Sequence, residues 1–238
     1  MRYRALACDY DGTIARHGRV SPATLTALER LRASGRRLVL VTGRQLDDLE
    51  KVFARLDIFD RVVAENGALV FQPATRETQI LTESPLASFV DALRARGVEP
   101  LAVGAVIVAT RHPHETTVVE TIAALGLELQ VIFNKGAVMI LPSGVNKATG
   151  LAAALTQLEL SPHDVVAVGD AENDHAFLSM CGCAVAVAGA LPALKERADL
   201  VTVGDDGDGV TELIARILDN DLADIEGPRR RDAVPGQP

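Results

Sequence analysis

The residues with the clearest capacity for chemistry are Asp9 and Asp11, two carboxylates one residue apart that follow Ala5-Leu6-Ala7-Cys8 and precede Gly12-Thr13. A short run of small and apolar residues ending in a turn signal predicts a strand covered on both faces, as in parallel sheets, with Asp9 at its tip. Carboxylates this close repel each other, and a divalent metal is the obvious positive partner. A calcium loop is excluded, because that pattern requires Gly at its sixth position and Glu at its twelfth, where the chain has Ile14 and Val20. Taken alone, the stretch reads equally well as a solvated acidic turn.

Three further segments change that balance. Thr42-Gly43-Arg44 follows the apolar run that ends at Val41, Asp170-Ala171-Glu172-Asn173-Asp174 follows Val165–Gly169, and Lys147 opens the helix leading into that last strand. Together they supply a carboxylate nucleophile, a second carboxylate for proton transfer, a hydroxyl and an ammonium to hold a phosphoryl group, and further carboxylates for a metal. Each also has a plainer reading. Lys147 by itself is a solvated first-turn lysine. Arg44 is either a salt-bridge partner or part of the site, and His17, His163 and His175 have no partner pattern and read as surface residues.

The elements that must position these residues alternate regularly. Ser21-Pro22 caps a helix carrying Leu25, Leu28 and Leu31 that Gly35 closes, Arg37–Val41 is a strand, and a second amphipathic helix carries Leu46, Leu49, Val52, Phe53 and Leu56. Val62-Val63-Ala64 and Ala68-Leu69-Val70-Phe71 flank Asn66-Gly67, a hairpin signal. From Thr82 to Leu141 the rhythm becomes helix, one strand over Val103–Ala109, helix, then an antiparallel pair, Leu129–Phe133 and Val138–Leu141. The first rhythm resumes at Asn146-Lys147 and runs through the strands Val165–Asp170, Ala184–Val187 and Leu200–Val203 to a last helix, Val210–Leu218. The expected fold is therefore α/β, a Rossmann-like doubly wound parallel sheet built from residues 1–81 and 142–226 with a smaller α+β module inserted at 82–141. Residues 227–238 are Pro- and Arg-rich and read as a disordered tail or the start of a linker.

Composition narrows the function classes. With 32 acidic against 24 basic residues the net charge is −8, which argues against a nucleic-acid or anionic-membrane surface and favours a small-molecule partner. Three cysteines and no signal-like opening suggest the cytoplasm. Cys181-Gly182-Cys183 lacks the second pair a zinc site needs. No Gly-x-Gly-x-x-Gly or phosphate-loop pattern follows a strand, which excludes a nucleotide-binding dehydrogenase. A receiver-type phosphoacceptor domain fits poorly, since it wants adjacent acids on the first strand, an isolated acceptor Asp on the third and no insertion. Oligomeric state leaves no mark in the sequence.

The set DYDGT at Asp9, VTGR at Thr42, the lone Lys147 and GDAEND at Asp170 resembles the four motifs of the haloacid dehalogenase superfamily of phosphatases. The Glu65-Asn66-Gly67-Ala68 stretch and the insertion between the second and third motifs further resemble the subgroup with the larger cap, which includes Cof-type sugar phosphatases, sucrose-phosphate phosphatase, phosphomannomutase and archaeal phosphoglycolate phosphatase. The short insertion is nearer the phosphoglycolate and sucrose-phosphate phosphatase pattern. The resemblance implies that Asp9 attacks phosphorus and becomes an aspartyl phosphate, and that Asp11 protonates the leaving alcohol and then activates water. It implies that Thr42, Gly43 and Lys147 bind the phosphoryl group, and that Asp9, the Asp11 carbonyl, Asp170 and Asp174 hold Mg2+. Arg44, Asn66 and Asn173 are candidate supporting residues, and Arg111 and Lys135, at loops of a movable cap hinged near Pro85 and Pro142-Ser143-Gly144, are candidates to read the substrate's distal end. The expected activity is hydrolysis of a small phosphorylated metabolite, a sugar phosphate or phosphoglycolate, with a phosphomutase as the enzyme alternative.

Overall fold

The computed structural model describes residues 1–134 and 136–225, so Lys135 and the 227–238 segment lie outside the described residues. The chain begins with β1 (Ala5–Asp9), a small flap of β2 (Ala15–Arg16) and β3 (Arg19–Val20), α1 (Pro22–Ala33), β4 (Arg37–Val41) and α2 (Leu46–Val52). It continues through β5 (Arg61–Ala64), β6 (Leu69–Gln72) and β7 (Glu77–Ile80). The insertion contributes α3 (Ala87–Ala95), β8 (Ala102–Val103), β9 (Val108–Arg111), α4 (Glu115–Ala124), β10 (Leu129–Asn134) and β11 (Ala137–Pro142). The remainder is α5 (Lys147–Gln157), β12 (Val165–Gly169), α6 (His175–Met180), β13 (Cys183–Ala186), α7 (Pro192–Lys195), β14 (Leu200–Val201) and α8 (Asp206–Asn220).

Two sheets organise these elements. The larger has the order β14-β13-β12-β1-β4-β5-β6-β7, parallel from β14 to β5 and antiparallel over β6 and β7. β1 lies at its centre and every residue in it is buried, which is why Ala5-Leu6-Ala7-Cys8 shows no polar alternation. Helices cover both faces: α5 packs on the β4–β6 side, while α1 and α8 pack on each other. The smaller sheet, β10-β11-β9-β8, is antiparallel and carries α3 and α4 on its far face, with Phe89, Val90, Leu93, Val118, Val138 and Ile140 in its own core. Its near face meets the larger unit through Ala68, Val106, Ile107, Met139, Leu141 and Val145.

Several elements differ from the sequence reading. Val103–Ala109 is two short strands rather than one, because residues 104–107 turn away to donate backbone N–H groups to a carboxylate described below. β7 and the β2–β3 flap were not expected. α8 starts at Asp206, ahead of the expected Val210, because Gly207 and Gly209 let its first turn pack against Thr24 and Thr202. All three cysteines are buried free thiols, and burial pushes the Cys8 thiol up. Among the described residues no helix is long and apolar enough to cross a membrane.

Candidate active site

Strand register brings three of the motifs to one sheet edge. Asp9 is level with Val41 in β4, so Thr42 follows one step beyond it. Cys8 is level with Val168 in β12, so Gly169 stands beside Asp9 and Asp170 lies one step past it. Such carboxyl-terminal strand ends are where open α/β sheets bind ligands. Gly12, at φ 87°, turns the chain back immediately after Asp11. The fourth motif arrives on a helix: Asn146 caps α5 by accepting N–H bonds from Ala148 (2.9 Å) and Thr149 (3.1 Å), which fixes Lys147 in its first turn.

Lys147 is 1 % exposed and donates to Asp9 (2.5 Å) and Asp174 (2.6 Å). The other Asp174 oxygen accepts the N–H groups of Asp170 (2.8 Å) and Ala171 (2.9 Å), a fit that requires the missing side chain at Gly169, where a Cβ would lie 2.7 Å from the carboxylate. Thr13 donates to Asp170 (3.3 Å). Two buried carboxylates, Asp9 and Asp174, thus share one ammonium, with the Asp170 carboxylate buried beside them. Burial pushes the Asp9 carboxyl well above the ordinary carboxylate range, against the lowering pull of Lys147. Burial also works against the Lys147 charge, but Asp174 and Asp9 outweigh it and hold the ammonium above its usual range. Asp174 and Asp170 add to the rise at Asp9, so the carboxylates crowd one another beside a single ammonium. Asp9, Asp170 and Asp174 each offer one oxygen within 4.8 Å of the others, a donor set of hard oxygens that suits magnesium.

Around this centre, Arg44 forks onto Asp11 with bonds of 2.6 and 2.9 Å, and reaches Asp48 at 2.5 Å. Both readings of Arg44 therefore meet in one residue, a salt bridge that lies in the site. The Thr42 hydroxyl accepts the Arg44 N–H (3.1 Å), which leaves its own hydrogen to donate. Asn173 donates to Asn66 (3.0 Å), just behind Gly43. Asp9, Asp11, Thr42, Gly43, Arg44 and Lys147 all open onto one cavity of about 490 Å³. Its roof is the near face of the smaller sheet, through Ala102, Ile107, Ala109, Asn134, Ala137 and Met139. Arg111 follows Ala109 on the same face of β9 but is exposed and lies outside the cavity lining.

Sequence reasoning missed Gln45 and Asn134, which line the cavity and each keep a buried amide atom without a hydrogen-bond partner. It also missed the role of Glu65, whose buried carboxylate crosses to the smaller sheet. No local pattern marks Gln45 or Asn134, and the Glu65-Asn66-Gly67-Ala68 stretch marks a subgroup without showing what the Glu65 carboxylate binds.

The family model of haloacid dehalogenase-like hydrolases matches residues 6–121 and 94–214 of the chain. The chain belongs to that family. This haloacid dehalogenase-like hydrolase is 31% identical over 225 residues to a phosphoglycolate phosphatase of Methanothermobacter thermautotrophicus, a match covering 90% of this chain and 99% of that protein. A phosphoglycolate phosphatase of Haloarcula marismortui is 34% identical over 227 residues, covering 90% and 97%. Among solved structures, a subclass IIB sugar phosphatase superposes with a TM-score of 0.73 at 19% identity, covering 90% of this hydrolase and 98% of that chain, so the core-plus-cap fold is shared.

Proposed function

We propose that this hydrolase is a magnesium-dependent phosphomonoesterase that works through an aspartyl phosphate on Asp9, with residues 82–141 as the cap that selects the leaving group. The observation that carries the reading is the buried Asp9–Lys147–Asp174 cluster opening onto a cavity roofed by the second sheet. Two full-length relatives named as phosphoglycolate phosphatases support the same chemistry.

In this reading Asp9 attacks phosphorus, the ester P–O bond breaks, and Asp11 gives its proton to the departing alkoxide. Asp11 then takes a proton from water, whose oxygen attacks phosphorus and releases orthophosphate from Asp9. Arg44 grips the Asp11 carboxylate through two parallel bonds, one of which must open for that oxygen to carry and deliver the proton. Thr42 and Lys147 meet the phosphoryl oxygens where charge develops. Asp9, Asp170, Asp174 and the Asp11 carbonyl would hold magnesium, which when bound offsets the negative charge of the carboxylates and the phosphoryl group.

The roof bears on the substrate. Five of its six side chains are apolar, so most hydroxyls of a hexose would lose water there without gaining a partner. A short leaving group with one anionic end fits better, because the unpartnered Gln45 Nε2 and the ammonium of Lys51 line the same cavity and can donate to it. We therefore favour 2-phosphoglycolate over a sugar phosphate. The test is phosphate release from phosphoglycolate, hexose phosphates and p-nitrophenyl phosphate, with magnesium or with excess chelator. Phosphoglycolate should give the highest kcat/KM, and chelation should abolish turnover. Undiminished turnover in chelator would sink the metal assignment, and a preference for hexose phosphates would sink the substrate assignment.

A further inference from the structure

The turn Glu65-Asn66-Gly67 between β5 and β6 has more varied attachments than its length suggests. Glu65 and Asn66 both adopt left-handed backbone conformations, at φ 51° and 56°. For a residue with a long side chain this conformation is unfavourable, and it persists only where the surroundings enforce it. Here they do. The Glu65 N–H bonds the Arg44 carbonyl (2.9 Å) and the Asn66 N–H bonds the Thr42 carbonyl (3.0 Å), so the turn holds the loop that carries the Thr42 hydroxyl. A Cβ on Gly67 would lie 1.9 Å from the Asn146 carbonyl oxygen, so the turn also abuts the start of α5 beside Lys147.

The strained backbone sends the Glu65 side chain the other way, into the cap. Its carboxylate is 2 % exposed and accepts three consecutive backbone N–H groups, from Ala105 (2.9 Å), Val106 (2.7 Å) and Ile107 (2.8 Å). Successive N–H groups of this kind form an anion-binding nest, and their bonds to a carboxylate are about twice as strong as neutral ones. The cap is shaped to receive it. Gly104 must lack a side chain, since a Cβ there would stand 2.5 Å from one Glu65 oxygen and 2.8 Å from the other. The Gly104 N–H closes the turn on the Ile107 carbonyl (2.8 Å), and Ile107 is a roof residue of the cavity.

We propose that Glu65 is a positioning residue that fixes the height of the cap roof above the phosphate-binding loop, and thereby the fit of the leaving group. The proposal rests on the phosphomonoesterase reading for its kinetic consequence and on geometry alone for its structural one. The two are tested separately. Amide hydrogen exchange at Val106 and Ile107 should slow in the wild type and accelerate at least ~10-fold in Glu65→Gln, whose NH2 would oppose the N–H donors. Gly104→Ala, which crowds out the carboxylate from the other side, should do the same, and the double variant should be no worse than either single one. Kinetically, kcat/KM in both variants should fall roughly 10-fold or more for the ester the wild type prefers. For methyl phosphate, whose single carbon does not reach the roof, it should stay within about twofold. Unchanged exchange in Glu65→Gln would overturn the latch. Faster exchange with equal losses on both esters would overturn the leaving-group role. A wild type that hydrolyses no ester would remove the phosphomonoesterase reading and with it the kinetic role, while the exchange data would still decide the latch.

Discussion

Lys147 and Asp9 touch each other, yet replacing the first should lower stability and replacing the second should not. Lys147→Met leaves the buried Asp9 and Asp174 carboxylates with no ammonium, and breaking a buried pair by removing one partner costs about 3–5 kcal/mol. The melting temperature should fall by roughly 10 °C, and less when magnesium is present to replace the lost charge. Asp9→Asn removes one of the crowded charges, so without metal the variant should melt no lower than the wild type. Its turnover should drop on the order of 10⁴-fold, because the attacking group is gone. Thermal melts with and without magnesium, beside phosphate release, check both; a destabilised Asp9→Asn would mean that the cluster carries no excess negative charge. Asp9, Thr42, Lys147 and Asp170 were legible in the sequence because each ends an apolar run or opens a helix, so its neighbours announce it. The role of Glu65 was not, because the N–H groups its carboxylate accepts lie at positions 105–107, and local periodicity carries no information over that separation.

At the level of elements, α5 is set by a contact that admits no extra atom. A Cβ on Gly150 would meet Val63 at 2.5 Å and the Gly67 Cα at 2.6 Å. Gly150→Ala must therefore push the helix off the sheet, outweighing the gain in helix propensity, at a cost of about 1–3 kcal/mol. Because Lys147 opens that helix, kcat should fall with the melting temperature; a stabilised, fully active variant would show that α5 can shift without moving the ammonium. The strands that were read correctly are those with a continuous apolar run, such as β1, β4 and β12. β7 escaped because Glu77-Thr78-Gln79-Ile80 is exposed throughout and so has no buried face to create a pattern. The split of Val103–Ala109 escaped because its apolar residues serve two cores, Val108 that of the cap and Val106 and Ile107 the seam with the larger unit.

Across the whole molecule, the end of the described chain is tied to its beginning. Asp221, just past α8, accepts N–H groups from Arg2 and Tyr3 and a guanidinium bond from Arg36 (3.0 Å). Burial works against the Asp221 charge, but these donors outweigh it and hold the carboxyl below its ordinary range. A depressed folded-state value contributes stability above the unfolded value near 4, and that contribution is lost as pH falls further. Asp221→Asn should cost about 1–2 kcal/mol at pH 7 and flatten the acid limb of the stability profile below pH 4. An unchanged acid limb in urea titrations of the variant would assign the effect to other carboxylates. The sheet order has a consequence for synthesis as well. β1 meets β4 early, but its other neighbour, β12, leaves the ribosome only after every strand of the cap. The cap's antiparallel pairs span short stretches and can form first, whereas the nucleophile's strand waits with one edge of N–H and C=O groups bare. A nascent chain stalled before Val165 would therefore present that open edge to chaperones or to a second chain, at the strand that later carries Asp9.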